Sequence, residues 1–456
     1  MNKYFGTDGF RGEAGVELTA DHAFKIGRFL GRYLIKDKDE KDNSKPRVII
    51  GKDTRLSGYM LEYAIASGCA ASGAEVYLAH VITTPALTYL TVNGCFDLGV
   101  MITASHNPFY DNGIKIIDRN GEKIDDSTAG LIEEYTDSSL DTLPFAKGER
   151  IGKIYNYPEG RENYVSNLIS LSPSSLKGLR IGLDSANGAA YDISRSVFES
   201  LGAKVYAIGN EPDGMNINKD CGSTHIGNLV RLVTENELDV GFAFDGDADR
   251  CIAVGKDGEV VDGDGIIYVL AKRFLRRGEM KNLTVVATVM SNGGLTESLE
   301  NIGLRTEITR VGDRFVFERM RETDSPLGGE QSGHIIIRNY ATTGDGLLTA
   351  IMLACEIKES GRGLEKLTDD LIVYPQKSAG FYVKDKSLVM KDEEVIRLIK
   401  KLKTELLSCG GRLIVRESGT EPKVRIMAEA KALEPCKKCI NAFYDLLAKR
   451  GYLDER

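Results

Sequence analysis

Three aspartates, Asp245, Asp247 and Asp249, alternate directly after the apolar run Val240-Gly-Phe-Ala-Phe244, and Arg250 follows them. Carboxylates held that close repel one another unless a cation sits among them. Hard oxygen ligands of this kind suit Mg²⁺ or Ca²⁺. An EF-hand loop is excluded, because Arg250 and Lys256 stand where its Gly and its bidentate Glu belong. A solvated acidic turn is the plain alternative, and the apolar run before it argues against that. Three carboxylates leave coordination positions open, as expected where Mg²⁺ also holds a phosphoryl oxygen.

A second stretch supplies a hydroxyl. Thr103-Ala-Ser105-His106-Asn107-Pro108 ends another apolar run, with Asp111-Asn-Gly113-Ile-Lys115 just behind it. The turn-forming residues predict a tight loop with the Ser105 hydroxyl outward, and a further turn at Asn112-Gly113. Lys115 would then return toward Ser105 as a charge stabiliser or, with a depressed pKa, a base; a solvated hairpin lysine is the bland reading. His106 adjoins the serine and either meets it or packs.

Two more loops carry polar groups. Arg416-Glu-Ser418-Gly419-Thr420 offers a guanidinium, hydroxyls and glycine amides suited to a phosphate dianion, with Arg425 as a second cation; an ordinary turn is the alternative. Glu330, Ser332 and His334 alternate, the first two suited to sugar hydroxyls and the third to proton transfer. Near the N-terminus, glycines flank Arg11 in Phe5-Gly-Thr-Asp-Gly-Phe-Arg11-Gly12, which reads as a loop whose backbone approaches something closely. Together these groups suit phosphoryl transfer: a carrier hydroxyl, a metal, cations for the equatorial oxygens, and an acid/base. No Walker A or kinase glycine loop is present to supply a nucleotide.

The elements that must position these loops repeat. Strand, polar loop, helix and strand follow one another at 47–78, at 179–206 and at 283–307, with a returning apolar strand before Ser105, before Asp245 and before Glu330. Strand–helix–strand crossovers favour parallel pairing within helix-covered sheets, and such sheets place sites at strand ends. The three loops are therefore expected to converge on one cleft. The last 80 or so residues read differently, as a smaller α+β domain with a helix at 391–408, strands at 412–415 and 423–428, and a closing helix opened by Pro435.

The motifs Tyr4-Phe-Gly-Thr-Asp-Gly-Phe-Arg11-Gly, Gly51-Lys-Asp-Thr-Arg-Leu-Ser-Gly-Tyr59, Thr103–Pro108, Asp245–Arg250, Gly329-Glu-Gln-Ser-Gly-His334 and Arg416–Pro422 resemble, in this order, those of the α-D-phosphohexomutase superfamily. The Gln in the fifth motif and the opening residues are similar to its glucosamine branch. The resemblance implies an α/β fold of four domains around a central cleft: three similar mixed-sheet domains (1–157, 158–257, 258–374) and a C-terminal α+β domain (375–456). It implies Ser105 as a phosphoserine, and Mg²⁺ on Asp245, Asp247 and Asp249 with the Ser105 phosphoryl oxygen. Arg11 and Arg250 would steady the moving phosphoryl group, with Lys115 and His334 as acid/base candidates. Glu330 and Ser332 would bind sugar hydroxyls. Arg416, Ser418, Gly419, Thr420 and Arg425 would bind the phosphate not in transfer. Glu417 replaces a usual Pro, and Ala248 a frequent Gly.

The activity so implied interconverts glucosamine 6-phosphate and glucosamine 1-phosphate through a bisphosphorylated sugar. A mutase of mannose or glucose phosphates, an inactive sugar-phosphate sensor and a metal-dependent phosphatase are the alternatives. The expected partners are a hexosamine phosphate and a sugar bisphosphate, with a homodimer as a candidate assembly. A net charge of −8 speaks against a nucleic-acid surface. No apolar run approaches about 18 residues, so no membrane span is expected. The eight scattered cysteines, including Cys436 and Cys439 in a helical pattern, and the absence of a secretory h-region suggest the cytosol.

Overall fold

The computed structural model describes residues 4–6, 9–36, 44–418 and 422–454. It divides into two compact units, one of residues 1–290 with 302–369, the other of residues 291–301 with 370–456.

The larger unit holds three sheets. The first comprises β1 (Phe5–Gly6), β2 (Gly9–Glu13), β3 (Arg47–Lys52), β4 (Glu75–Val81), β5 (Leu98–Ile102), β6 (Asp111–Asp118) and β7 (Ile154–Asn156), in the order β1-β2-β6-β5-β3-β4-β7. The second holds β8 (Arg180–Asp184), β9 (Lys204–Ile208), β10 (Val240–Phe244), β11 (Cys251–Gly255) and β12 (Val260–Val261), in the order β12-β11-β10-β8-β9. The third holds β13 (Thr284–Thr288), β14 (Arg305–Thr309), β15 (Leu327–Gly329) and β16 (Ile335–Ile337), in the order β14-β13-β15-β16.

The three sheets share one plan, as the repeats predict. The crossover pairs β3/β4, β8/β9 and β13/β14 are all parallel. The returning strands β5, β10 and β15 pair in parallel with the first strand of their own unit. Each then reverses into an antiparallel partner: β5 into β6, β10 into β11 and β15 into β16. The three polar loops of the larger unit are these reversals. The strands read as unbroken apolar runs because both faces are covered. Val48, Ile50, Val76, Leu98, Val100 and Ile102 pack with Leu61 and Ile65 of the helix Gly58–Ala71 in one core cluster.

Two local expectations fail. Asn112-Gly113 is no turn: both residues lie inside β6, which pairs with β2 on one side and β5 on the other. The chain reverses earlier, at 105–106 and 109–110. The glycine serves close approach instead, since a Cβ on Gly113 would meet Thr103 O at 2.6 Å and Phe10 O at 2.9 Å. Arg11 likewise sits in a strand, β2, paired opposite Gly113.

In the smaller unit, β17 (Gln376–Tyr382), β18 (Arg412–Glu417) and β19 (Lys423–Glu429) form an antiparallel sheet ordered β17-β19-β18. The amphipathic helices Glu393–Ser408 and Leu433–Lys449 bury Val395, Leu402, Leu406, Ile440, Phe443 and Leu447 against it. Cys436 and Cys439 belong to this core as free thiols. The helix Gly293–Asn301, which follows β13 in the chain, belongs to this unit: the Gly293 amide donates to Glu429 Oε1, and Ser298 Oγ accepts from the Ile372 amide.

Replacing Gly113 by Ala should destabilise the larger unit by about 1–3 kcal/mol, the usual cost of overpacking. Calorimetry should show its transition at lower temperature, with the smaller unit's unchanged.

Candidate active site

Ser105 follows β5 with φ of 52°, a left-handed conformation that costs a non-glycine residue about 1–2 kcal/mol. Its amide donates to Thr103 Oγ1 (2.9 Å), and its carbonyl accepts from Arg55 Nη2 (2.9 Å) and Asn218 Nδ2 (2.8 Å). The hydroxyl does not point outward as the sequence suggests. It is 1% exposed and donates to Asp245 Oδ2 at 2.6 Å. What covers it is the β10–β11 reversal of the second sheet, which no reading of the Ser105 loop alone contains.

Asp245, Asp247 and Asp249 are all buried, and each turns one carboxylate oxygen into a space in which these atoms lie within 4.8 Å of one another. Asp245 also accepts from the Arg250 amide, and Asp247 from Thr84 Oγ1 at 2.6 Å. Lys115 comes from β6 with its ammonium 2.8 Å from Asp247 Oδ2 and 3.5 Å from Asp249 Oδ2. It is buried, so the solvated-lysine reading fails. Arg250 Nε stands 3.8 Å from both Asp245 Oδ2 and Asp249 Oδ1.

Burial, together with the charges of Asp249 and Asp247, pushes the Asp245 carboxyl up to about 8. Burial also opposes ionisation of Asp249, but Lys115, the Nδ1 side of His334 facing it and Arg250 outweigh it and hold that carboxyl well below the usual range. The nearby cations therefore do not offset the burial and the like charges that act on Asp245. Asp247 Oδ1 is buried without a hydrogen-bond partner. An oxygen-only donor set, short of positive charge and with an orphaned buried oxygen, fits a hard divalent cation. Among the described residues this is the one acidic or His/Cys cluster with ligand spacing.

The third loop closes on the second. Arg250 and His334 form an antiparallel bridge, the Cys251 amide donates to Gly333 O, and the Gly346 amide to Ala248 O. His334 Nδ1 faces Asp249 Oδ1 at 3.6 Å. Burial disfavours the His334 imidazolium, yet Asp249, Asp313 and Glu330 outweigh it and bring its pKa to about 9. The Gly344 amide, however, donates to Nε2 at 3.0 Å, which requires that nitrogen to be unprotonated. That bond decides for the neutral ring with its proton on Nδ1; a cation on the triad would cancel the pull of Asp249. Glu330 is half-buried and accepts from the Gly312 amide, while Ser332 is exposed. His106 lies 3.5 Å from the Ser105 hydroxyl, and burial with the charges of Arg250 and Arg11 lowers it to about 4. Arg11 stands on β2 opposite Gly113 of β6.

The structure thus brings Ser105, Lys115, Asp245, Asp247, Asp249, Arg250, His334 and Arg11 into one neighbourhood. The smaller unit has its own cluster. Arg416 and Arg425 stand directly opposite on β18 and β19, and partial burial with the Arg425 charge lowers the Arg416 pKa. Like charges so placed are unfavourable, and an anion relieves them. Ser418 is buried at the end of β18, its amide donating to Lys423 O. Gly419 and Thr420 lie outside the described residues.

Sequence reasoning missed Asp53, Arg55, Thr84 and Asn218. The polar run Lys52–Ser57 after β3 was the one available signal, and it carried no role because its partners are distant in the chain.

A set of α/β sheets whose strand reversals meet at a hydroxyl and an acidic cluster that could hold a metal ion is the framework of a phosphoryl-transfer enzyme. Residues 2–142, 162–258 and 262–374 match the phosphoglucomutase/phosphomannomutase alpha/beta/alpha domains I, II and III, and residues 381–445 match the C-terminal domain. The chain belongs to this family of phosphohexomutases. It is 49% identical to the phosphoglucosamine mutase of Lachnoclostridium phytofermentans, over 99% of this chain and 100% of that one. It is 48% identical to the phosphoglucosamine mutase of Lachnospira eligens, with 99% and 100% covered. A phosphoglucomutase/phosphomannomutase family protein of Burkholderia thailandensis shares the fold with a TM-score of 0.79 at 24% identity, over 99% of both chains. An Aspergillus fumigatus N-acetylphosphoglucosamine mutase, solved with GlcNAc-6P and magnesium, does so with a TM-score of 0.69 at 17% identity, over 98% of this chain and 95% of that one.

Asp247→Asn should weaken Mg²⁺ or Mn²⁺ binding by at least the 10–100-fold that even supporting groups of metal sites contribute, about two orders of magnitude at the upper end. Calorimetric titration with Mn²⁺ measures it; unchanged affinity would put the ion elsewhere.

Proposed function

We propose that the chain interconverts glucosamine 6-phosphate and glucosamine 1-phosphate, carrying a phosphoryl group on Ser105. The observation that supports this most is the buried Ser105 hydroxyl held 2.6 Å from Asp245 within the aspartate cluster. The whole-chain likeness to relatives named phosphoglucosamine mutase supports the hexosamine phosphate over other sugars.

In the forward half-reaction a sugar hydroxyl oxygen forms a bond to the phosphorus on Ser105 as the bond from phosphorus to Oγ breaks. The hydroxyl proton passes to Lys115 or His334, and Oγ keeps the bonding electron pair. Arg11 and Arg250 hold the equatorial oxygens of the moving group. Glu330 and Ser332 orient the sugar hydroxyls. Arg416, Ser418, Gly419, Thr420 and Arg425 hold the second phosphate. The resulting sugar bisphosphate turns end over end and returns its other phosphoryl group to Ser105. Mg²⁺ held by Asp245, Asp247, Asp249 and an oxygen on Ser105 would neutralise charge developing on that oxygen. Both proton acceptors have partners: the Gly344 amide donates to His334 Nε2, and Lys115 pairs with Asp247 and Asp249, so either must exchange a partner to take the proton. The whole-chain likeness to relatives named as mutases weighs against a phosphatase.

The proposed division of labour takes the limits 1–157, 158–257, 258–374 and 375–456, although residues 291–301 and 370–374 of the third segment belong to the smaller unit. The free cysteines support a cytoplasmic setting, and a homodimer is the assembly to test by light scattering.

Ser105→Ala should lose turnover of glucosamine 6-phosphate entirely, while the wild-type protein should show one phosphate removable by phosphatase in its intact mass. Full activity in that variant would refute the carrier role. Assayed side by side, glucosamine 6-phosphate should be turned over faster than mannose or glucose 6-phosphate.

A further inference from the structure

Arg55 is fully buried in the loop after β3, and all five of its N–H donors are engaged. Nε donates to Asp53 Oδ2 at 2.9 Å. Nη1 donates to the carbonyls of Pro108 and Asp111, and Nη2 to those of Ser105 and Asn107 at 2.9 and 2.8 Å. One guanidinium thus gathers four carbonyls of the loop that carries the serine. Its partner Asp53 accepts from Thr103 Oγ1 at 2.7 Å, and that oxygen in turn accepts from the Ser105 amide. Ser105 is held at both its N–H and its C=O.

A second holder comes from the other sheet. Asn218, buried after β9, donates through Nδ2 to Ser105 O at 2.8 Å and to Asn107 O at 3.1 Å, two of the carbonyls that Arg55 also takes. A Cβ on Gly246, in the aspartate loop, would stand 2.6 Å from Ser105 O, so the two reversals touch through backbone. The left-handed backbone of Ser105 is unfavourable in itself and persists only where its surroundings over-determine it.

We propose that Arg55 and Asn218 are positioning residues: together they hold Ser105 in its left-handed conformation and so aim Oγ at the aspartate triad. They do a second thing at the same time. Carbonyls turned onto the guanidinium cannot face Oγ, so their negative ends are kept from a dianionic group there. The proposal rests on Ser105 being the phosphoryl carrier.

Asn218→Ala and Arg55→Lys test it, the lysine keeping the charge and losing the fork. The readouts are kcat and KM for glucosamine 6-phosphate, the thermal midpoint, and the rate at which glucose 1,6-bisphosphate phosphorylates Ser105 by intact mass. A misplacement of about 1 Å costs about 100-fold in rate. Each variant should therefore lose about 10–100-fold in kcat and in Ser105 phosphorylation, with KM within about twofold. The thermal midpoint of Asn218→Ala should stay near wild type. If Arg55→Lys does not fold, Asn218→Ala carries the test. A folded Asn218→Ala with wild-type kcat and phosphorylation rate overturns the proposal, as does a rate loss that only tracks the fraction unfolded. Failure of the carrier reading is seen separately, in a wild-type chain that takes no phosphate at Ser105.

Discussion

Three carboxylates share one buried space with a serine hydroxyl, and the rest of the larger unit can be understood as what makes that tolerable. Carboxylates out of water are costly unless paired. Here Lys115 and Arg250 supply charge, and Thr84 and Ser105 supply hydroxyl donors. The supply falls short, since Asp245 is pushed up and Asp247 keeps an orphaned oxygen. A site left in that state by its own chain is poised for a divalent cation, and the deficit makes the binding of one favourable.

The partners come from three sheets because a single loop cannot deliver them. Each reversal, β5 to β6, β10 to β11 and β15 to β16, exposes a few residues at the same end of the same arrangement of strands. The first supplies the hydroxyl, the second the carboxylates and Arg250, the third His334. Backbone contacts hold the reversals together: Arg250 bridges His334, and Ala248 O takes the Gly346 amide. Such contacts fix distances more rigidly than side chains do, as a group-transfer reaction requires.

The smaller unit applies the opposite electrostatic device. Arg416 and Arg425 are set side by side on neighbouring strands, so cations are crowded where the larger unit crowds anions. Each arrangement is unfavourable alone and is relieved by an ion of the other sign.

The sequence by itself determined the strands, the three repeats, the acidic triplet as a cluster that could hold a metal, and the residue types that phosphoryl transfer needs, because apolar runs, crossovers and clustered charges are local signals. It was misled at Asn112-Gly113, where a turn signature lies inside β6: the glycine is there so that two strands can approach, a cause that lies in the neighbours. It also left the Ser105 hydroxyl in solvent, since the loop that buries it is 140 residues further along the chain. Arg55 and Asn218 were not legible as site residues for the same reason: their chemistry resides in carbonyls, which every sequence has everywhere. Only the tertiary structure decides which carbonyls, amides and carboxylates meet, because burial and hydrogen-bond direction are properties of the packed chain and not of any one segment.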